Sequence, residues 1–194
     1  MAISLAIFAS GAGTTAQAVI DACGGGRIDG EVVLIVSNNP GAPVLERAAV
    51  AGIAGRQLSG RTHPAPGALE RAMLDALAAA GATHVLLAGY MKKLPPGVVA
   101  AYAGAIYNTH PALLPAYGGQ GMYGDRVHAA VLADGQTRSG ASVHLVTDEY
   151  DSGPIVGQVE VAVLAGDDVE SLGARVRAAE RELVVEVLAG VAGG

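Results

Sequence analysis

The sequence predicts an α/β fold: an open sheet, mostly parallel, with an antiparallel part near the C-terminal end and helices on both faces. Three observations predict it. Short apolar runs recur through the first 110 residues with helix-spaced segments between them, the pattern of successive βαβ units. A glycine-bearing loop follows the first run directly and opens a helix. Past residue 110 the alternation gives way to two runs of period-two patterning joined by a turn-rich stretch. Composition agrees, with 51% hydrophobic and 15% charged residues, 28 glycines, one Phe and no Trp, which suits a tightly packed body of small residues and excludes disorder. At 194 residues the chain is expected to form one domain over 1–194.

The elements follow in order. The first strand is placed at 2–8 and breaks into Ser10-Gly11-Ala12-Gly13-Thr14-Thr15, from which a helix runs over 14–24. EVVLIVS at 31–37 is the second strand, 43–51 the next helix and 53–58 the third strand. A segment rich in Ala, Leu, Glu and Arg predicts a helix over 66–80, followed by strands HVLLA at 84–88 and GAIYN at 104–108. The stretch PAYGGQGMYGD at 115–125 leads into a short helix. SGASVHLVT at 139–147 and PIVGQVEVAV at 154–163 alternate as strands, with DEYDSGP between them as a hairpin or a long edge loop. A final helix over 168–189 starts at Asp167 or Asp168, either of which serves as a cap or first-turn acid.

A net charge of −6 with no compensating cluster of Lys or Arg gives no extended surface for nucleic acid, so an anionic ligand has to be small and locally bound. The one cysteine, Cys23, makes no internal disulfide, and a reducing cytoplasm is the expected location. The N-terminal run lacks a basic leader and meets the glycine loop within ten residues, which argues against a signal peptide or a membrane span. Small-molecule substrates are the expected partners, without nucleic acid or membrane; a homodimer is compatible with all of this.

Gly11-x-Gly13-x-x-Ala16 formally matches a dinucleotide fingerprint in the right context. The second strand, however, ends in Ser37-Asn38-Asn39, with neither an acid for a ribose hydroxyl nor an Arg for a 2′-phosphate, and no Lys-Ser or Lys-Thr follows for a P-loop. Backbone N–H groups at a helix N-terminus beside the Ser10, Thr14 and Thr15 hydroxyls suit a single phosphate monoester. A tight turn that only packs helix on strand is the plainer reading. Asn108 and His110 fall where an open parallel sheet binds ligands, and they bring an uncharged donor for an oxyanion and a group that exchanges a proton near neutral pH. A loop histidine bonded to backbone is the alternative. Asp151 sits in a turn with Asp148 and Glu149 as neighbours, and composition does not choose among the three.

FASGAGT at 8–14, Ser37-Asn38, LAGYM at 87–91, NTHPALLP at 108–115 and SVHLVTDEYDSGPI at 142–155 together resemble the phosphoribosylglycinamide formyltransferase family. The resemblance runs in order over nearly the whole chain; N-x-H-P and D-x-G-P mark the wider formyltransferase superfamily, and the S-G-x-G-[ST] loop narrows it. It implies a Rossmann-like fold, with 10-formyltetrahydrofolate as co-substrate and the amine of glycinamide ribonucleotide as acceptor. Matching motifs assign Asn108, His110 and Asp151 as catalytic, Gly11, Gly13, Thr14 and Thr15 to the substrate phosphate, and Glu180 to substrate. A folate pocket would be lined by Leu87, Met91, Lys92, Leu94, Val99, Ile106 and Val146, with 147–151 in its wall; Val99 and Ile106 read equally as plain core.

The implied reaction is direct attack by the amine, with Asn108 and a protonated His110 stabilising the oxyanion and Asp151 managing the proton. No metal is implied, since the histidines at 63, 84, 110, 128 and 144 lack ligand spacing with a carboxylate. Three departures from the family stand out. Thr15 takes the place of a common Asn, and Pro66 stands where some relatives carry an Arg, leaving Arg61 or His63 to supply a charge. The 116–125 stretch is longer, and its Gly118, Gly119, Gly121 and Gly124 suit a lid or a passive surface loop. A tRNA formyltransferase is expected to need a C-terminal domain, and a formyltetrahydrofolate deformylase an N-terminal one. The alternatives kept are a sugar-nucleotide formyltransferase and a non-catalytic nucleotide-binding protein.

Overall fold

The computed structural model describes residues 2–193. Seven strands form one sheet: β1 (Ile3–Phe8), β2 (Gly30–Ser37), β3 (Ala54–Gln57), β4 (His84–Leu87), β5 (Ile106–His110), β6 (Arg138–Leu145) and β7 (Ile155–Ala162), in the order β3-β2-β1-β4-β5-β6-β7. Pairing is parallel from β3 to β5, and antiparallel from β5 to β6 and from β6 to β7, the mixed sheet that the patterning predicts. The apolar runs explain the centre. β1 lies between two neighbours, and Leu5 to Phe8 are fully buried because helices cover both of its faces.

Helices α1 (Thr14–Gly24), α2 (Pro43–Val50), α5 (Asp125–Ala133) and α6 (Val169–Gly193) contribute to one core layer, with Val19, Val44, Val127 and Leu188 among its buried residues. Helices α3 (Ala68–Ala79) and α4 (Pro96–Ala101) pack Met73, Leu77 and Val98 into the other. The long α6 starts as its acids suggest: Asp168 Oδ1 accepts from the Ser171 N–H at 2.8 Å while Ser171 Oγ accepts from the Asp168 N–H at 3.0 Å, a reciprocal cap. None of the described helices is long and apolar enough to cross a membrane.

Three elements depart from the sequence reading, one of them α6, which runs on to Gly193 rather than ending at 189. α4 is absent from it, because Pro95-Pro96 reads as loop; in the fold Pro96 occupies the first turn, where a missing N–H costs nothing. β5 begins and ends two residues later than 104–108. The Ala105 N–H is held by the Tyr102 carbonyl in the turn after α4, and Thr109 and His110 pair with Val143 and Ser142 of β6. The shift matters for chemistry. It puts Asn108 and His110 on one strand two residues apart, so both side chains leave the same face.

Candidate active site

A cleft of about 810 Å³ opens past the carboxyl ends of β1, β4 and β5. Strand order reverses between β1 and β4, so the connections leaving them diverge and a crevice is left there. Residues 10–15, 87–94, 108–111 and 119–124 form walls, together with parts of the β6–β7 connection.

The glycine loop is braced from below. Ser10 Oγ donates to Asn38 Oδ1 and accepts from the Met91 N–H at 2.8 Å, Asn38 Nδ2 donates to Asn39 Oδ1 at 2.9 Å, and Asn39 Nδ2 donates to the Ser10 carbonyl at 2.7 Å. Ser37-Asn38-Asn39 thus serves to tie the ends of β1, β2 and β4 together, at the place where a dinucleotide fold would keep an acid for ribose. Gly13 caps α1 with φ 69°, and a Cβ there would run into the Val44 side chain, so only glycine fits. With no side-chain cap on α1, its first N–H groups remain directed at the cleft beside Thr14 and Thr15.

Asn108, His110 and Asp151 come together with a fourth group, His144, which faces Asn108 directly across the β5–β6 ladder. Asn108 Nδ2 lies 3.0 Å from His144 Nε2 and donates to Asp151 Oδ1 at 3.4 Å. His144 Nε2 is 3.4 Å from the same carboxylate oxygen, while its Nδ1 lies 2.9 Å from the Leu145 carbonyl. His110 Nδ1 is 3.5 Å from Asp151 Oδ2 and its Nε2 is 2.7 Å from the Tyr117 carbonyl. A carbonyl can only accept, so His110 carries its proton on Nε2 and His144 on Nδ1. Asp151 is therefore flanked by two histidines of opposite tautomer.

A family profile described as "Formyl transferase" matches residues 3–188. The chain belongs to the formyl transferase family. It is 40% identical over 188 residues to the chloroplastic phosphoribosylglycinamide formyltransferase of Arabidopsis thaliana, an alignment that takes in 96% of this chain and 64% of that protein. It is 38% identical to the phosphoribosylglycinamide formyltransferase of Escherichia coli strain K12, over 99% of this chain and 88% of the relative. Among solved structures, glycinamide ribonucleotide transformylase 1 from Symbiobacterium toebii superposes with a TM-score of 0.93 at 36% identity, covering 100% of this chain and 89% of that one.

Electrostatics in this formyl transferase site separate its groups. Burial pushes the Asp151 carboxyl up, but the Gly119 N–H that donates to it and the neighbouring His144 and His110 bring it below the usual carboxylate value. Burial also outweighs Asp151 and the Tyr117 carbonyl at His110, holding the ring below its ordinary value. The neutral ring is accordingly favoured at rest; the protonated form in the sequence reading belongs to the later stage at which the oxyanion is present. Glu180 on α6 meets the Thr15 hydroxyl at 3.3 Å and is bonded by Thr109; its burial raises it above the ordinary carboxylate value.

Of the residues read as folate-facing, Leu87, Met91, Lys92, Leu94 and Val146 line the cleft. Ile106 is buried in the α3–α4 core layer and Val99 packs against that layer, so both lie behind the wall rather than on it. Arg61 and His63 are also off the cleft, whose cations are Lys92, Lys93, Arg126 and Arg177. Sequence reasoning missed His144, Arg126, Arg177 and His128, the last 1% exposed with Nδ1 lacking a partner among the described residues. A signal for His144 existed, a titratable residue set between Val143 and Leu145 in a strand; the helix positions of Arg177 and Glu180, three apart on one face, could have flagged Arg177. Among the described residues no group of His, Cys, Asp and Glu is arranged to hold a metal ion.

Proposed function

We propose that this chain transfers the formyl group of 10-formyltetrahydrofolate to the primary amine of glycinamide ribonucleotide in de novo purine biosynthesis. The observation that carries this reading is the continuity of one cleft, from an uncapped helix N-terminus through the Asn108–His110–Asp151 cluster to the apolar wall of Leu87, Leu94 and Val146. Gly11, Gly13, Thr14 and Thr15 take the ribonucleotide phosphate, with Arg177 lining the same cleft, Glu180 takes substrate beside Thr15, and Met91 and Lys92 border the folate. Val99 and Ile106 support that wall from behind. The free thiol of Cys23 suits a reducing compartment such as the cytoplasm.

The amine nitrogen attacks the formyl carbon, forming the new C–N bond and pushing the carbonyl electrons onto oxygen. Asn108 meets this oxyanion by releasing its longer contact, the 3.4 Å bond to Asp151. The ammonium gives its proton to the His110–Asp151 pair, directly or through water. His110, neutral at rest, becomes positive as the negative charge appears opposite it. The same proton passes to the folate N10 as the C–N10 bond breaks, and the formylated amide leaves with tetrahydrofolate. Each well-placed proton-transfer group of this kind contributes roughly 10²–10⁴-fold. The pair starts and ends the cycle unchanged, without a covalent enzyme intermediate.

The test is a spectrophotometric assay of 10-formyltetrahydrofolate deformylation with glycinamide ribonucleotide in one arm and an amino-sugar nucleotide in the other. Turnover with the ribonucleotide alone is expected. Turnover with the sugar alone overturns the acceptor assignment, and turnover with neither points to nucleotide binding without chemistry.

A further inference from the structure

Only two non-glycine residues among those described have positive φ, Tyr117 at 56° and Asp151 at 51°, and both touch His110. The Tyr117 carbonyl accepts the Nε2–H of His110 at 2.7 Å. Two residues on, the Gly119 N–H donates at 2.9 Å to Asp151 Oδ2, the oxygen that faces His110 Nδ1. Gly119 has φ 97°, a conformation strained for any side chain. A backbone run of three residues therefore grips both members of the His110–Asp151 pair. A bulky residue adopts such a φ only where its surroundings over-determine it. Here they do: the Tyr117 hydroxyl donates to Asp134 Oδ2 at 2.8 Å just past α5, and the ring packs on the larger core layer.

We propose that Tyr117 is a positioning residue for the formyl transfer: latched to Asp134, it keeps its backbone left-handed so that its carbonyl fixes His110 in the Nε2–H tautomer. Nδ1 is thereby left to share a proton with Asp151. This rests on the reading of the reaction above. The titratable groups facing His110 are Asp151 from the β6–β7 connection, His144 from β6 beyond Asn108, and the Tyr117–Asp134 pair from the segment before α5 and its end.

The experiment compares Tyr117→Phe, Tyr117→Gly, Tyr117→Ala and Tyr117→Val with the wild type, measuring kcat, both KM values and the imidazole 15N shifts of His110. Glycine discards the ring and the latch but adopts positive φ freely; alanine and valine are driven away from it, valine hardest. The expected order of kcat is wild type, Phe, Gly, Ala, Val, with Val below Gly by roughly tenfold or more and KM values little changed, as for a misplaced catalytic group. Nitrogen spectra should show Nε2–H in the wild type and in Gly. In Val the Nδ1–H form should grow in, and the His110 titration should move to lower pH.

Lost packing alone predicts the opposite, with Gly the worst, and that order would overturn the proposal. So would a neutral wild-type His110 protonated at Nδ1. If valine prevents folding, the Gly and Ala pair makes the same comparison. A wild type that forms no formylated ribonucleotide defeats the functional reading instead, and the nitrogen spectra still decide the tautomer.

Discussion

Asp151 stays ionised against its own burial because Asn108 Nδ2 donates to one of its oxygens and the Gly119 N–H to the other, with His144 and His110 beside them. Replacing it by Asn retains an oxygen for the Gly119 N–H but removes the charge that lets the pair hold a proton. Asp151→Asn is expected to lower kcat by roughly 10²–10⁴-fold, with a melting curve close to that of the wild type. Glu180 is the opposite case, a carboxyl raised by burial. The folded chain binds its proton more tightly than the unfolded one, so the stability that Glu180 contributes is complete below pH ~4.5 and is lost as pH rises through its raised folded value. Glu180→Gln should therefore melt higher than the wild type at pH 8, with the gap narrowing toward pH 4, while the KM for glycinamide ribonucleotide rises. A gap that widens on acidification would contradict the sign.

At the scale of elements, helix α1 presents the cleft with N–H groups that no side chain caps, and Thr14 at its first position is exposed to the cleft. An acid there suits the helix and repels a phosphate, so the two effects separate. Thr14→Asp should leave stability unchanged or raise it by about 0.3–1 kcal/mol in denaturant unfolding, yet raise the ribonucleotide KM and spare that of the folate. Equal loss of both ligands would argue against two subsites. This loop was legible in the sequence, since its glycines, its hydroxyls and the amides at 38 and 39 are all local signals. The chemistry around Asp151 was legible only through a family likeness. His144 reaches Asn108 through a ladder between residues 36 apart, and no local pattern reports which strands lie side by side. Ile106 and Val99 show the converse, apolar residues whose type suits a pocket and a core equally; only the placement of α4 decides between them.

In the whole molecule, the stability of the larger core layer and the chemistry at the cleft reside in different parts of α6. Glu180 and Arg177 face the site, whereas Leu188, two turns beyond Glu180 and 1% exposed, fills the core with Val184 and Val185. Leu188→Ala is expected to cost about 2–5 kcal/mol in denaturant unfolding, with kcat at 25 °C near the wild-type value; a matching fall in kcat would mean that core and site are coupled. The direct opposition of Asn108 and His144 on β5 and β6 has its own consequence for how such a chain can change. A slip of β6 by one residue would turn His144 to the far face and dismantle the cluster. Within the connection between the two strands, the residues between Gly119 and α5 hold neither His110 nor Asp151, and each doubling of a flexible loop costs only about 0.6 kcal/mol. Descendants of this fold can thus lengthen or shorten the chain between Gly119 and α5 and keep the reaction, while an insertion that shifts His144 by one residue in β6 ends it.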